Sequence, residues 1–62
     1  GNTMQNNTYN VYADNIHSGK FKHEQTALKF AECFSQFHGV KRVTVVHSGK
    51  IIKKIEKGGN VK

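Results

Sequence analysis

His17-Ser18-Gly19-Lys20 recurs as His47-Ser48-Gly49-Lys50, thirty residues further along a chain of 62. Each copy follows a β-branched apolar residue, Ile16 or Val46, and precedes a second apolar one, Phe21 or Ile51. Ser-Gly between strand-like runs is a tight-turn signal, because glycine takes positive φ with no Cβ to clash. The repeat therefore predicts two similar hairpins with a different element between them.

Outward from the repeat, the flanking runs supply the strands. Between residues 9 and 16, Tyr9, Val11 and Ala13 alternate with Asn10, Tyr12 and Asp14, the period of a half-buried strand. Lys20-Phe21-Lys22 is then a short return strand after the first Ser-Gly turn. Residues 41–47 alternate again, with Val43 and Val45 on one side and Arg42, Thr44 and Val46 on the other. A two-residue Ser48-Gly49 loop pairs His47 with Lys50 and places Val45 with Ile52, and Val46 with Ile51. A three-residue loop with a bulge at Gly49 shifts this by one and regroups the isoleucines. Under the shorter loop Val46, Ile51 and Ile55 face away from the helix, beside Arg42, Thr44 and Lys53.

Between the hairpins the period changes. Ala27, Phe30, Ala31, Phe34, Phe37 and His38 fall in a stripe about 120° wide at helical spacing, with Gln25, Lys29, Glu32 and Gln36 opposite. This predicts an amphipathic helix over residues 24–38, with Glu24 favourable to its dipole and Gly39 ending it in the left-handed conformation. His23 is a poor N-cap, and Thr26 would start the helix late. The aromatic stripe is assigned to the core, with a partner groove as the minor reading. Cys33, flanking the stripe, is expected to be a small buried hydrophobe.

The expected fold is α+β: a single small ββαββ domain over residues 9–57. One amphipathic helix packs on a four-stranded, mainly antiparallel sheet made of two hairpins. Residues 1–8 and 58–62 are expected to be loose tails. Gly1-Asn2-Thr3 ahead of Met4 read as an expression remnant and are set aside. About fifty ordered residues bury few side chains, so stability is marginal or completed by a partner surface.

With the elements placed, the chain resembles a loose class of short bacterial and phage-encoded ββαββ domains. In that class an aromatic-rich first strand leads to a helix of the Ala-Leu-x-x-Ala type. Here Ala27-Leu28-Lys29-Phe30-Ala31 matches that helix, and His47-Ser48-Gly49-Lys50-Ile51 matches the closing turn-Gly-basic-Ile hairpin. The resemblance spans most of residues 9–57. It implies the fold and carries over no site.

Composition narrows the function. A single cysteine excludes an internal disulfide and fits a reducing, cytoplasmic setting. No apolar run reaches the length of a membrane span, so no membrane partner is expected. The four histidines and Cys33 lack the close pairing of zinc ligands, so no metal site and no cofactor are expected. Ser18 and Ser48 beside histidines follow from turn chemistry, and paired carboxylates are scarce. No catalytic residue is assigned, and the protein is read as a non-enzyme.

The charge is the strongest functional signal. Ten Lys and Arg against four acids give a net charge of +6, and only Lys29 of the internal cations lies in the middle segment. Lys20, Lys22, Arg42, Lys50, Lys53 and Lys54 form the expected nucleic-acid-binding set, with Tyr9, Tyr12 or Phe21 for stacking. Lysine outnumbers arginine nine to one, so DNA or RNA would be held by its backbone with low sequence specificity. The alternative is a protein-interaction or regulatory module, with Val46, Ile51 and Ile55 as the surface for a host protein or a second copy in a homodimer. In that reading the lysines keep the chain soluble and blunt the sheet edge. Either role would suit a small accessory protein of a phage or mobile element.

Overall fold

Valine and tyrosine spaced at period two extend the chain into β1, Tyr9–Ala13, and the same chemistry forms β3, Arg42–His47. Each is returned by a hairpin partner, β2 at Ile16–Phe21 and β4 at Lys50–Glu56. Between the hairpins lies α1, Glu24–Ser35. The computed structural model describes residues 7–57. The expected tails at residues 1–6 and 58–62 lie outside the described residues, and Asn7 and Thr8 carry no regular structure.

All strand pairings are antiparallel, in one sheet of order β2-β1-β3-β4. β2 and β3 are both antiparallel to β1, hence parallel to each other, and α1 makes the crossover between them over one sheet face. The α+β, ββαββ architecture is as expected from the alternating periods.

The two copies of the repeat do different jobs, which corrects the expectation of twin Ser-Gly turns. In the second copy Ser48 and Gly49 take φ of 53° and 76°, a two-residue turn pairing His47 with Lys50. In the first, the turn sits upstream at Asp14-Asn15, with φ of 52° and 70°, and pairs Ala13 with Ile16. Asp and Asn are the non-glycine residues that tolerate this region best. His17-Ser18-Gly19-Lys20 lies within β2, where Ser18 is the extra residue of a bulge between Gly19, opposite Val11, and His17, opposite Tyr12. The Ser18 hydroxyl donates to the Ile16 carbonyl at 2.8 Å and accepts from the Ala13 N–H at 3.3 Å. Gly19 has no positive φ. A Cβ there would lie 2.8 Å from the Phe21 ring, so this glycine provides room for the ring.

The second hairpin keeps the two-residue loop but carries a bulge of its own. Val46 pairs with Ile51 and Val45 with Lys53, leaving Ile52 as the extra residue. Beyond it the register is shifted by one, so Ile55 pairs with Val43 and packs against the core. The assignment of Ile55 to the face away from the helix is therefore corrected.

The core is small. Val11, Ala27, Ala31, Val43 and Val45 are fully buried, with Tyr9, Phe21, Leu28, Phe34, Val40 and Ile55 packed around them. Alanines at the helix–sheet contact bring α1 close to the sheet, which displaces the larger rings to the flank. Phe30 is 42% exposed and Phe37 58%, so the aromatic stripe is half outside the core. It runs as a ladder from Phe21 stacked on Phe30 at 4.8 Å, through Phe34, to Phe37. Cys33 is exposed, against the expectation of burial.

The helix is also shorter than its periodicity predicts. After Ser35 the chain tightens: the N–H groups of Phe37 and Val40 bond to the carbonyls three residues back, Phe34 and Phe37, each at 3.1 Å. Gly39 takes the expected left-handed conformation, at φ 99°, but it lies three residues beyond the Gln36 C-cap and is not the C′ residue that ends the helix. At the other end His23 has N-cap geometry, φ −118° and ψ 138°, but makes no side-chain cap. Asp14 ties the first turn to β3: its carboxylate accepts from the backbone N–H of Lys41 at 3.0 Å and of Arg42 at 2.9 Å.

Candidate nucleic-acid interface

Directly paired residues of an antiparallel sheet project to the same side, and successive residues alternate. Val11, Val43 and Val45 are buried under α1, so their cross-strand partners share the helix side. The other side carries no helix. Across it, one row reads Lys20, Asn10, Val46, Ile51, from β2 to β4. The next reads His17, Tyr12, Thr44, Lys54. A third is formed by Arg42 and Glu56.

The centre of this open face is ordered by side-chain contacts. The His17 Nε2 lies 2.9 Å from Asn10 Oδ1, which orients the imidazole across the β1–β2 pair. The Tyr12 and His17 rings meet edge-on, with centroids 5.3 Å apart. Val46 and Ile51 form a neighbouring apolar pair, with Ile51 61% exposed. Lys20 and Lys54 stand on the two edge strands, at diagonally opposite corners of the patch that also holds Asn10, His17, Tyr12, Thr44, Val46 and Ile51.

The six expected nucleic-acid residues do not all converge. Lys20, Arg42 and Lys54 belong to the open face. Arg42 is partly neutralised there, its Nε donating to Glu56 Oε2 at 3.1 Å. Both groups are half exposed, and such a pair contributes at most about 1 kcal/mol. Lys50 and Lys53 pair with His47 and Val45, which places them on the helix side of the β4 edge, exposed to solvent. Lys22 is exposed in the bend after β2.

Of the three stacking candidates only Tyr12 lies on the open face. Tyr9 stacks on His47 at 4.0 Å, and Phe21 stacks on Phe30, both on the helix side. Val46 and Ile51 remain together as an exposed apolar pair, without Ile55. His17 and Asn10 were not legible as site residues, because a Ser-Gly turn at Ser18 makes His17 a turn residue. Asp14-Asn15, two residues tolerant of positive φ between strand-like runs, is the signal that moves the turn and puts His17 beside Tyr12.

Protein-family models, curated proteins and solved structures were all compared with the chain, and none matches. Among the described residues no group of three or more His, Cys, Asp or Glu is placed to hold a metal ion, and no helix is long and apolar enough to cross a membrane.

Proposed function

We propose that this protein is a non-enzymatic nucleic-acid-binding module that engages the phosphate backbone through its open sheet face. The observation that supports it is the arrangement of that face: lysines on both edge strands, a third cation in Arg42, and Tyr12 with His17 at the centre. Lysine is a point charge with three rotatable donors, suited to phosphate without reading a base. Low sequence specificity follows. The free, exposed Cys33 suits a reducing, cytoplasmic compartment.

The division of lysines between the two faces makes the proposal testable. Each phosphate contact adds about 0.7 to the slope of log K against log salt for single strands and about 0.9 for B-DNA. Replacing Lys20 and Lys54 together by Gln should lower that slope by about 1.4 to 1.8 and weaken binding at every salt concentration. Replacing Lys50 and Lys53 should leave the slope nearly unchanged. Fluorescence anisotropy with labelled oligonucleotides over a salt series measures both. The reverse pattern would move the interface to the β4 edge, and absence of binding at low salt would end the nucleic-acid reading.

A second reading, self-association or a protein partner, is favoured by one observation. Val46 and Ile51 form an apolar pair on an uncovered sheet face of a domain with only five fully buried side chains among its described residues.

A further inference from the structure

We infer that the ligand of the open face is a single strand rather than a duplex, with one base stacked on the Tyr12 ring. This rests on the nucleic-acid reading above and specifies its ligand.

The sheet is the wrong shape for a groove. B-DNA's major groove is about 12 Å wide and admits an α-helix or a two-stranded ribbon. Here β3 is paired on both sides from Val43 to His47, and β1 on both sides from Tyr9 to Ala13. Neither hairpin therefore stands clear of the other as a free ribbon. Four strands spaced by about 4.8 Å span roughly 14 Å of backbone before side chains are added. The helix is no better placed to read a duplex. Its inner side is packed on the sheet through Ala27 and Ala31, and Glu24 and Glu32 lie exposed along it. With Lys29, exposed between them, the helix still carries a net charge of −1, which disfavours phosphate.

The same flat face suits an extended strand. Base–aromatic stacking needs an aromatic ring that no other ring already covers. Tyr9 and Phe21 are covered, by His47 and Phe30, with interplanar angles of 10° and 13°. Tyr12 is half-buried, and no ring lies parallel to it: its one ring contact, with His17, is steeply inclined at 62°, and His17 is held in turn by Asn10. A strand crossing from Lys20 on β2 to Lys54 on β4 runs diagonally between this ring on one side and the Val46–Ile51 pair on the other. Phosphates meet lysines at the sheet edges, while a base meets Tyr12 and sugar or base surface meets the aliphatic pair.

The test uses one mixed-sequence oligonucleotide as a labelled single strand and as its blunt duplex, at equal salt. The single strand should bind about tenfold or more tightly than the duplex. Tyr12→Ala should weaken single-strand binding by about 5- to 100-fold, whereas Tyr12→Phe retains it. A thermal melt of each variant verifies folding. A second readout leaves Tyr12 in place. The chain has no tryptophan and two tyrosines, so in Tyr9→Phe the emission comes from Tyr12 alone. Quenching of that emission by the unlabelled single strand supports stacking; unquenched emission at saturation overturns it. Equal affinity for the duplex, with Tyr12→Ala changing neither ligand and the Lys20/Lys54 double variant weakening both, overturns the single-strand inference and leaves the nucleic-acid reading standing. No binding of either form overturns both.

Discussion

Gly19 and Gly49 occupy equivalent positions of one tetrapeptide and are needed for different physical reasons. Gly49 sits at φ 76° with open space where a Cβ would lie, so its requirement is purely conformational. Asn adopts that region readily. Gly49→Asn is therefore expected to stay within about 1 kcal/mol of wild type. Gly19 has ordinary φ, but its Cβ position is taken by the Phe21 ring, 2.8 Å away, which is itself stacked on Phe30. Any side chain there requires the ring to shift from its place against Phe30. Gly19→Asn is expected to cost about 1–3 kcal/mol, the usual range for overpacking. Chemical denaturation of the two variants measures both, and equal losses would show that the two glycines serve the same role after all.

At the scale of elements, α1 shows how a local weakness persists inside a correct pattern. Its first turn has a residue of N-cap geometry, His23, whose side chain makes no bond to the orphan N–H groups. Asp at this position would accept such a bond and place a negative charge at the positive end of the helix dipole. His23→Asp is expected to stabilise by about 1 kcal/mol, which raises the melting temperature by about 4–8 °C in a domain of this size. An unchanged melt would mean that the cap geometry is not held in solution. The helix was legible in its Ala27, Ala31 and phenylalanine spacing, but its end was not. Phe37 and His38 continue the apolar period while the backbone tightens after Ser35, since periodicity records which side chains share a face and not which carbonyls are bonded. The strand pairs were legible too, but bulges at Ser18 and Ile52 leave no mark in composition.

For the whole molecule, the decisive quantity is how little is buried. Among the described residues three valines and two alanines make up the fully buried set, while Ile16, Phe30, Phe37, Ile51 and Ile52 each expose 40% or more. Contiguous apolar surface of this kind is where a protein contact would form. If the Val46–Ile51 pair is the contact, sedimentation should show a dimer for wild type and a monomer for Ile51→Lys. A monomer in both cases removes self-association through that pair, and a dimer in both moves the contact elsewhere, the half-exposed ring ladder from Phe21 to Phe37 being the other large apolar surface.

Read alone, the amino-acid order was enough to determine the element sequence ββαββ, the helix over its alanines, the Ser48-Gly49 turn, the left-handed Gly39 and the basic character of the hairpins. Each of these rests on neighbours within a few residues: period two, period 3.6, a turn dipeptide, a sum of charges. Which lysines share a face was decided only by the tertiary structure. A one-residue slip in a strand moves every later side chain to the opposite face. The Asp14-Asn15 turn and the two bulges therefore set the faces of His17, Lys53, Lys54 and Ile55, and those features are held by cross-strand pairing and by the bonds of Asp14 to the start of β3. The charge was written in the chain. Its division between the two faces of the sheet required the fold.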